Sequence, residues 1–228
     1  DSFNGISVKM TIDVNPDAKF QIILDEKVGD IIRGTGSGTI NMTVDENQNV
    51  KMFGDYSINR GDYLFTLNNV INKKLNIKEG GRITWTGDPI NASVDISASY
   101  ALKASPLPLM IMAQSVDDTA LYRKRIPVNC IVNMTGLLLK PDVEFGIDLP
   151  EADTRIKDVI DALSEDDKNF QFVSLLVMNS FWNNQSQSGN ENSPSIVDVT
   201  STELLSNQLS TWLSGMSKNF DLGVNIRP

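Results

Sequence analysis

Apolar residues alternate with polar ones up to about Leu149, and this period of two constrains the fold more than any other feature of the chain. Apolar side chains at every second position share one face of a β-strand. Clear runs cover Ile6–Val14, Ile126–Met134 and Val143–Leu149. The intervening positions are rich in Thr, Ser, Asn and Lys, so each strand buries one face only. The sequence therefore predicts a mainly β fold, a curved sheet or a sandwich.

Turn residues separate the runs at short intervals. They are Asn15-Pro16-Asp17, Gly61-Asp62, Gly80-Gly81, Gly87-Asp88-Pro89 and Lys140-Pro141-Asp142. The polar segment 45–49 is predicted to be a hairpin connection. Short local connections favour antiparallel neighbours, so we expect a largely antiparallel sheet. Residues 100–124 break the pattern and are predicted to form a long loop.

The periodicity becomes helical from Glu151. Ile156, Val159, Ile160 and Leu163 form one apolar stripe, and the acidic Glu165–Asp167 precedes a second helix, Phe170–Trp182, that is apolar on almost every side. A helix of that kind has to be covered. The acidic residues are predicted to stabilise the positive end of a helix dipole.

The sequence predicts four segments. They are a sheet over 1–150, helices over 151–182, a flexible linker over 183–195, and an amphipathic helix with a truncated terminal strand over 196–228. The last helix begins with the capping box Thr200-x-x-Glu203. Because the chain starts at Asp1 without a leader, we interpret it as a fragment whose anchor or export signal lies elsewhere.

The sequence lacks a residue type that catalytic sites commonly use. The chain contains no histidine, which is the commonest general base and zinc ligand. Cys130 is in phase with neighbouring valines and is predicted to be a small core residue. The segment 45–49 is similar to the start of a calcium loop, but Val50 occupies the position of the required glycine. Gly34–Gly38 lacks the ending of a phosphate loop and is predicted to be structural. We predict no enzyme activity, no metal and no cofactor.

The net charge of -9 is unfavourable for nucleic acid, because phosphate contacts need Lys and Arg. It is equally unfavourable for electrostatic docking on an anionic membrane. No apolar stretch reaches the ~20 residues that a membrane-spanning helix requires. Any contact with lipid is therefore expected through apolar surface.

Three stretches resemble the C-terminal conserved domain of the TamB family, in the form common in Bacteroidetes. Gly54–Phe65 is similar to the family's two aromatic strands joined by an Arg-Gly turn. The second stretch is Gly81–Ala92, running on to Asp95–Tyr100, and its block Trp85-Thr86-Gly87-Asp88-Pro89-Ile90-Asn91-Ala92 is the most specific match. The third stretch is Glu203–Leu209 with Trp212 following, and none of the three carries a catalytic motif.

The resemblance implies a β-taco, a long sheet folded lengthwise into an open groove with an apolar interior. It implies a periplasmic protein that bridges the inner and outer membranes and is anchored in the inner membrane by regions outside this chain. The implied partners are phospholipid acyl chains and a BamA-like outer-membrane barrel, TamA or its lipoprotein relative. In-facing apolar residues are then the candidate lipid-binding groove lining: Val8, Met10, Ile12, Phe20, Ile22, Leu24, Ile40, Met42, Met52, Tyr63, Phe65, Ile83, Trp85, Val94, Ile96, Val128, Val132 and Phe145.

Two functional interpretations are open at this point. In the first, the groove shields phospholipid during transport between membranes. In the second, exposed strand edges pair with a barrel or a client by β-augmentation during outer-membrane protein assembly or secretion. In that case the same apolar residues form an ordinary core, packed against the C-terminal helices, because alternation predicts a buried face in both cases.

Overall fold

A computed structural model describes residues 7–25, 29–67, 71–115 and 119–183. The predicted helix over 200–216, its terminal strand and all but the first residue of the predicted linker lie outside the described residues. Strands make up 55% of the described part of the chain, which confirms the prediction of a mainly β fold.

The described residues contain nine strands and four helices. The strands are β1 (Val8–Val14), β2 (Lys19–Asp25), β3 (Asp30–Val44), β4 (Val50–Leu67), β5 (Ile71–Ile77), β6 (Arg82–Gly87), β7 (Ser93–Ala104), β8 (Ile126–Leu137) and β9 (Lys140–Asp148). The helices are α1 (Leu107–Met112), α2 (Thr119–Tyr122), α3 (Thr154–Asp161) and α4 (Glu165–Met178). By its contacts the chain divides into two compact units. Among the described residues, one unit holds those up to Leu102 with Val128–Pro150, and the other holds those of Lys103–Pro127 and of 151–183.

All nine strands belong to one antiparallel sheet, as the β-taco expectation requires. Its main order is β1-β3-β4-β5-β7-β8-β9. β2 pairs with the first part of β3 and β1 with the second, while β6 pairs with both β4 and β7. The first six strands are therefore this long β3–β4 hairpin and the strands paired with it.

The β3–β4 hairpin turns at Asp45–Asn49, as predicted. One carboxylate oxygen of Asp45 accepts hydrogen bonds from the backbone N–H groups of Asn47 and Asn49, each at 2.9 Å. The other accepts from the Asn49 side-chain amide at 2.8 Å. These bonds lower the pKa of Asp45, with the Asn49 side chain as the largest cause. The carboxylate thus stabilises a turn, in agreement with the predicted hairpin.

The turn predicted at Gly61-Asp62 is wrong. β4 runs without interruption through these residues, and its register against β3 shifts where Thr35 pairs with Arg60 but Gly36 pairs with Ile58. Asn59 is the extra residue of a β-bulge, which bends a strand without ending it. A glycine that follows polar residues has the same local signature in a bulge and in a turn.

The sheet of the first unit curves until its inner surfaces meet. The rings of Phe65 on β4 and Phe145 on β9 lie 5.9 Å apart in an edge-to-face arrangement. These strands are separated by β5, β7 and β8 in the order of the sheet, so only a strongly bent sheet brings them together. Edge-to-face pairs at this distance are a favoured aromatic geometry.

Glycines permit close packing between β3 and β4. A Cβ atom at Gly36 would lie 2.2 Å from the carbonyl oxygen of Ser57 and within 2.8 Å of the Tyr56 ring. Gly54 has φ +137°, and a Cβ atom there would lie 2.1 Å from the carbonyl oxygen of Thr39. The predicted structural role of Gly34–Gly38 agrees with these contacts and with the bulge beside Gly36.

The predicted loop at 100–124 contains regular structure. β7 continues to Ala104, and the short helices α1 and α2 follow. Ser105 connects them, because its hydroxyl donates to the carbonyl oxygen of Tyr122 at 2.7 Å and accepts from the N–H of Leu107. Pro106 and Pro108, which suggested a loop, instead stand at the start of α1, where a missing N–H is tolerated.

The second predicted C-terminal helix starts earlier and ends earlier than the sequence suggested. Ser164 caps α4, so that the acidic residues Glu165–Asp167 form its first turn. Asn179 ends it in a left-handed conformation, and the chain then turns back along the helix. The Gln171 side chain both donates to the carbonyl oxygen and accepts from the N–H of Trp182. These bonds satisfy a buried amide that one more helical turn would leave without partners.

The glycine contacts predict unequal effects for one substitution at two sites. We expect Gly54→Ala to lower the free energy of unfolding by about 2–4 kcal/mol, because the new methyl group meets backbone and φ is unfavourable. Gly146→Ala is the matched control, since its Cβ would meet only the Ile131 side chain at an ordinary 3.6 Å. We expect it to change stability by less than about 0.5 kcal/mol. Urea denaturation of both variants measures the difference, and equal effects would contradict the close approach.

Candidate apolar binding face

One end of the sheet carries an ordered apolar surface. The strand register places Val8, Val44 and Val50 in one row across β1, β3 and β4. The next row contains Met10, Met42 and Met52, and the following one contains Ile12, Ile40, Gly54 and Trp85, reaching β6. Side chains in such rows share a face, which we call the inner face; its continuation carries Tyr56, Ile83 and Val94.

The exposure of the inner face changes along the sheet. Ile83 is 1% exposed and Val94 4%, whereas Val8 is 41% exposed and Met10 and Ile12 are each 40% exposed. We call the exposed end the apolar rim: Val8, Met10, Ile12, Met42, Val44, Val50 and Met52. A contiguous apolar surface that stays in contact with water usually marks a binding site.

The opposite face of the same strands is polar. Thr11 donates a hydrogen bond to Asn41 at 2.8 Å, and Thr39 donates to Asp13 at 2.7 Å. Thr84 on β6 likewise donates to Asp55 on β4. We call this side the outer face. The exposed apolar residues Ile23 and Phe53 also lie there, but they stand among polar neighbours, and scattered exposed apolar residues are normal on protein surfaces.

The residues that the sequence suggested as groove lining lie at three levels of burial. Those that are buried are Ile40, Tyr63, Phe65, Ile83, Val94, Ile96, Val128 and Val132. Those of intermediate exposure are Phe20, Ile22, Leu24, Met42, Met52, Trp85 and Phe145, and the exposed ones are Val8, Met10 and Ile12. Val44 and Val50 complete the rim but were not among the candidates, although the alternation of their strands could have identified them.

The far end of the inner face is polar and closed. The carboxylate of Asp30, which is 6% exposed, accepts a hydrogen bond from the Tyr63 hydroxyl at 3.2 Å and one from the Thr66 N–H at 2.6 Å. Burial raises the pKa of Tyr63, and the negative charge of Asp30 raises it further. A buried carboxylate is tolerated where hydrogen bonds replace its hydration, so this group fixes the start of β3 against the end of β4.

Tyr56 lies on the inner face between this polar end and the rim. Its hydroxyl is buried and has no hydrogen-bond partner among the described residues, and burial raises the pKa of Tyr56. Its ring contacts Phe20 edge-to-face, with centroids 5.1 Å apart. A buried hydroxyl without a partner destabilises the fold, so Tyr56 is held there by its ring and not by its oxygen.

Reactive or metal-binding groups do not come together on the described strands and helices. Cys130 is fully buried, and burial raises the pKa of its thiol to about 12, which agrees with the predicted core position. In the described ranges no three His, Cys, Asp or Glu residues are grouped as a metal site. The described part of the inner face therefore presents mainly apolar side chains.

The two inner-face tyrosines give a test of this arrangement. We expect Tyr63→Phe to lower the free energy of unfolding by about 1–3 kcal/mol, because Asp30 loses a donor in a buried site. The identical change at Tyr56 removes an unpaired hydroxyl, so Tyr56→Phe should be neutral or stabilising by about 1 kcal/mol. Chemical denaturation at neutral pH compares the two variants, and a larger loss for Tyr56→Phe would contradict the assigned hydrogen bonds.

Comparison with known proteins supports the resemblance noted in the sequence. None of the described helices is long and apolar enough to cross a membrane. No curated protein matches the chain. The family model described as TamB C-terminal domain matches residues 1–228, the whole sequence. The chain therefore belongs to the TamB family of cell-envelope proteins, the family of the translocation and assembly module.

Proposed function

We propose that this chain is a non-catalytic segment of a TamB protein, and that its inner face holds phospholipid acyl chains during transport between the two membranes. The observation that carries the proposal is the apolar rim, a continuous apolar surface over three strands that remains exposed to water. In this proposal the buried inner-face residues, from Ile40 to Val132, line the closed part of the same groove together with the half-buried Phe145.

The composition of the rim suits flexible apolar ligands. Three of its side chains are methionines in one cross-strand row, and the unbranched thioether adapts its shape to what it contacts. Each methylene that moves from water onto such a surface contributes ~0.8 kcal/mol if it becomes fully buried. A few methylenes per chain are therefore enough to give measurable binding without any polar recognition.

Family membership also suggests where the protein acts and which protein it binds. The protein would act in the periplasm, bridging the inner and outer membranes. A BamA-like outer-membrane barrel, TamA or its lipoprotein relative, would be its protein partner. The absence of histidine from the sequence supports a role in transport without catalysis.

A charge can be placed on a rim residue to test lipid binding while the protein stays folded. Ile96 and Val94 are almost fully buried, so a charge there would unfold the sheet. Met10 is 40% exposed, and Met10→Asp places the charge on the rim with little loss of packing. The matched control is Thr11→Asp, which adds the same charge to the same strand on the outer face.

Native mass spectrometry and lipid extraction of the protein, purified without detergent, give the readout. We expect phospholipid to co-purify with the unchanged protein and with Thr11→Asp, and to fall at least about tenfold in Met10→Asp. Circular dichroism checks that both variants remain folded. A lipid-free unchanged protein, or equal lipid in both variants, would refute the acyl-chain proposal.

A second candidate function, β-augmentation, is favoured by the free edge of β1. Within the described residues β1 pairs with β3 alone, and it contains no proline, glycine or bulge. Of the other edge strands, β2 has a bulge between Ile23 and Asp25, and β9 has a proline, Pro141, at its second position. An uninterrupted edge with alternating apolar side chains is a template for an extended strand of a barrel or a client.

Proline substitutions at neighbouring positions test β-augmentation separately. N–H groups alternate in direction along an edge strand, so one of Lys9→Pro and Met10→Pro removes an outward donor while the other removes a bond to β3. We expect the variant that retains stability to lose binding of the barrel partner in a detergent pull-down. If that stable variant binds the barrel as well as the unchanged protein, β1 is not the pairing edge.

A further inference from the structure

A cavity opens on the outer face of the sheet, on the side away from the apolar rim. It occupies about 1130 Å³ over β2, β3, β4 and β5, at the bulge that bends β4. Its lining is mostly polar and charged, in contrast to the inner face. Acyl chains held by the inner face would not contact this side of the sheet, so the cavity is a separate candidate site.

Three cations surround one hydroxyl in this cavity. The register places Lys19 of β2, Thr35 of β3 and Arg60 of β4 in a single row. Arg33 occupies the same face two residues before Thr35, in the next row. Neighbouring strands lie ~4.8 Å apart, so the long side chains of all three cations can reach the space above Thr35. All three line the cavity, as does Thr35 itself.

The cations are not neutralised by neighbouring carboxylates. Within the described residues Lys19 and Arg60 make no ion pair or side-chain hydrogen bond. The Nε atom of Arg33 donates to the Gln21 amide oxygen at 3.1 Å, which orients the guanidinium and leaves its two terminal nitrogens available.

The acidic residues that line the cavity lie outside the row of Lys19, Thr35 and Arg60. Asp62 forms an ion pair with Lys74 at 3.2 Å, so these two lining charges offset each other. Asp17 and Glu79 lie in the turns before β2 and after β5, at the ends of those strands and not in the row of Lys19, Thr35 and Arg60. Thr35 is therefore flanked by three cations, in a cavity whose lining as a whole carries four cations and three carboxylates.

We propose that this cavity is a binding site for a phosphate group, with Lys19, Arg33 and Arg60 as its cationic ligands and Thr35 as its neutral donor. Guanidinium groups bind phosphate oxygens through two parallel hydrogen bonds, and an ammonium group adds a point charge. The cavity is much larger than one phosphate, so it accommodates either free phosphate or the phosphate of a lipid headgroup at a membrane surface. Because it opens on the outer face, its ligand is distinct from an acyl chain held by the inner face.

The site can be tested with inorganic phosphate and with a charge-matched control. Arg60→Gln removes one ligand, while Lys51→Gln removes an equal charge from the same strand and the same face, outside the cavity. Isothermal titration at fixed ionic strength should show phosphate binding that weakens at least about tenfold in Arg60→Gln and stays unchanged in Lys51→Gln. Thr35→Val, which keeps the shape of the side chain, should weaken binding by a smaller factor.

Binding to vesicles distinguishes a lipid headgroup from free phosphate as the ligand. Flotation with phosphatidylglycerol vesicles, compared with pure phosphatidylcholine vesicles, shows whether a headgroup is bound, and the Arg60→Gln variant shows whether this cavity binds it. If the vesicles retain the unchanged protein but not the Arg60→Gln variant, the ligand is a headgroup. If phosphate binds in the titration but the vesicles do not retain the protein, the ligand is free phosphate. The proposal is refuted if neither probe binds, if Lys51→Gln weakens binding as much as Arg60→Gln, or if only an acidic peptide binds. Co-purified acyl lipid in Arg60→Gln would leave the inner-face proposal intact in each case.

Discussion

The pairing of β3 with β4 is the interaction on which the rest of the first unit depends. These two strands align over Ile31–Val44, and β1, β2, β5 and β6 all attach to one or the other. Close packing of the pair requires glycines such as Gly36 and Gly54, where any side chain would collide with the neighbouring backbone. A one-residue slip would move every apolar side chain of β4 to the wrong face, so this register also determines which surface is apolar.

The bulge at Asn59 keeps the apolar residues of β4 on the inner face along the whole strand. Before it, the inner-face residues of β4 have even numbers, as in Met52 and Tyr56, and after it they have odd numbers, as in Tyr63 and Phe65. One extra residue thus corrects the phase of an otherwise continuous strand and bends it at the same time. The same bend lies beside the cationic cavity on the outer face, so one local irregularity shapes both surfaces of the sheet.

The two faces differ in how they can act. The inner face changes from a hydrogen-bonded carboxylate at Asp30 to exposed and half-buried apolar side chains at the rim, so apolar ligands would meet it at one end only. The outer face carries threonine, asparagine and aspartate side chains that bond to one another across strands. Such ladders keep the outside of the sheet in water, and the cavity around Thr35 is the part of this face where Lys19, Arg33 and Arg60 come together.

The sequence by itself determined the mainly β fold, the hairpin at Asp45, the core position of Cys130 and the family, because alternation, turn chemistry and motifs are local or conspicuous features. It did not reveal that Gly61 lies inside a strand or that α4 ends at Asn179, because a bulge shares its local signature with a turn and the helix end depends on the bonds between Gln171 and Trp182. The valine, methionine and isoleucine rows that form the apolar rim, and the grouping of Lys19, Arg33 and Arg60, were decided only by the tertiary structure. Alternation shows that two faces exist, but strand register and curvature decide which residues meet across strands and which part of a face stays exposed to water.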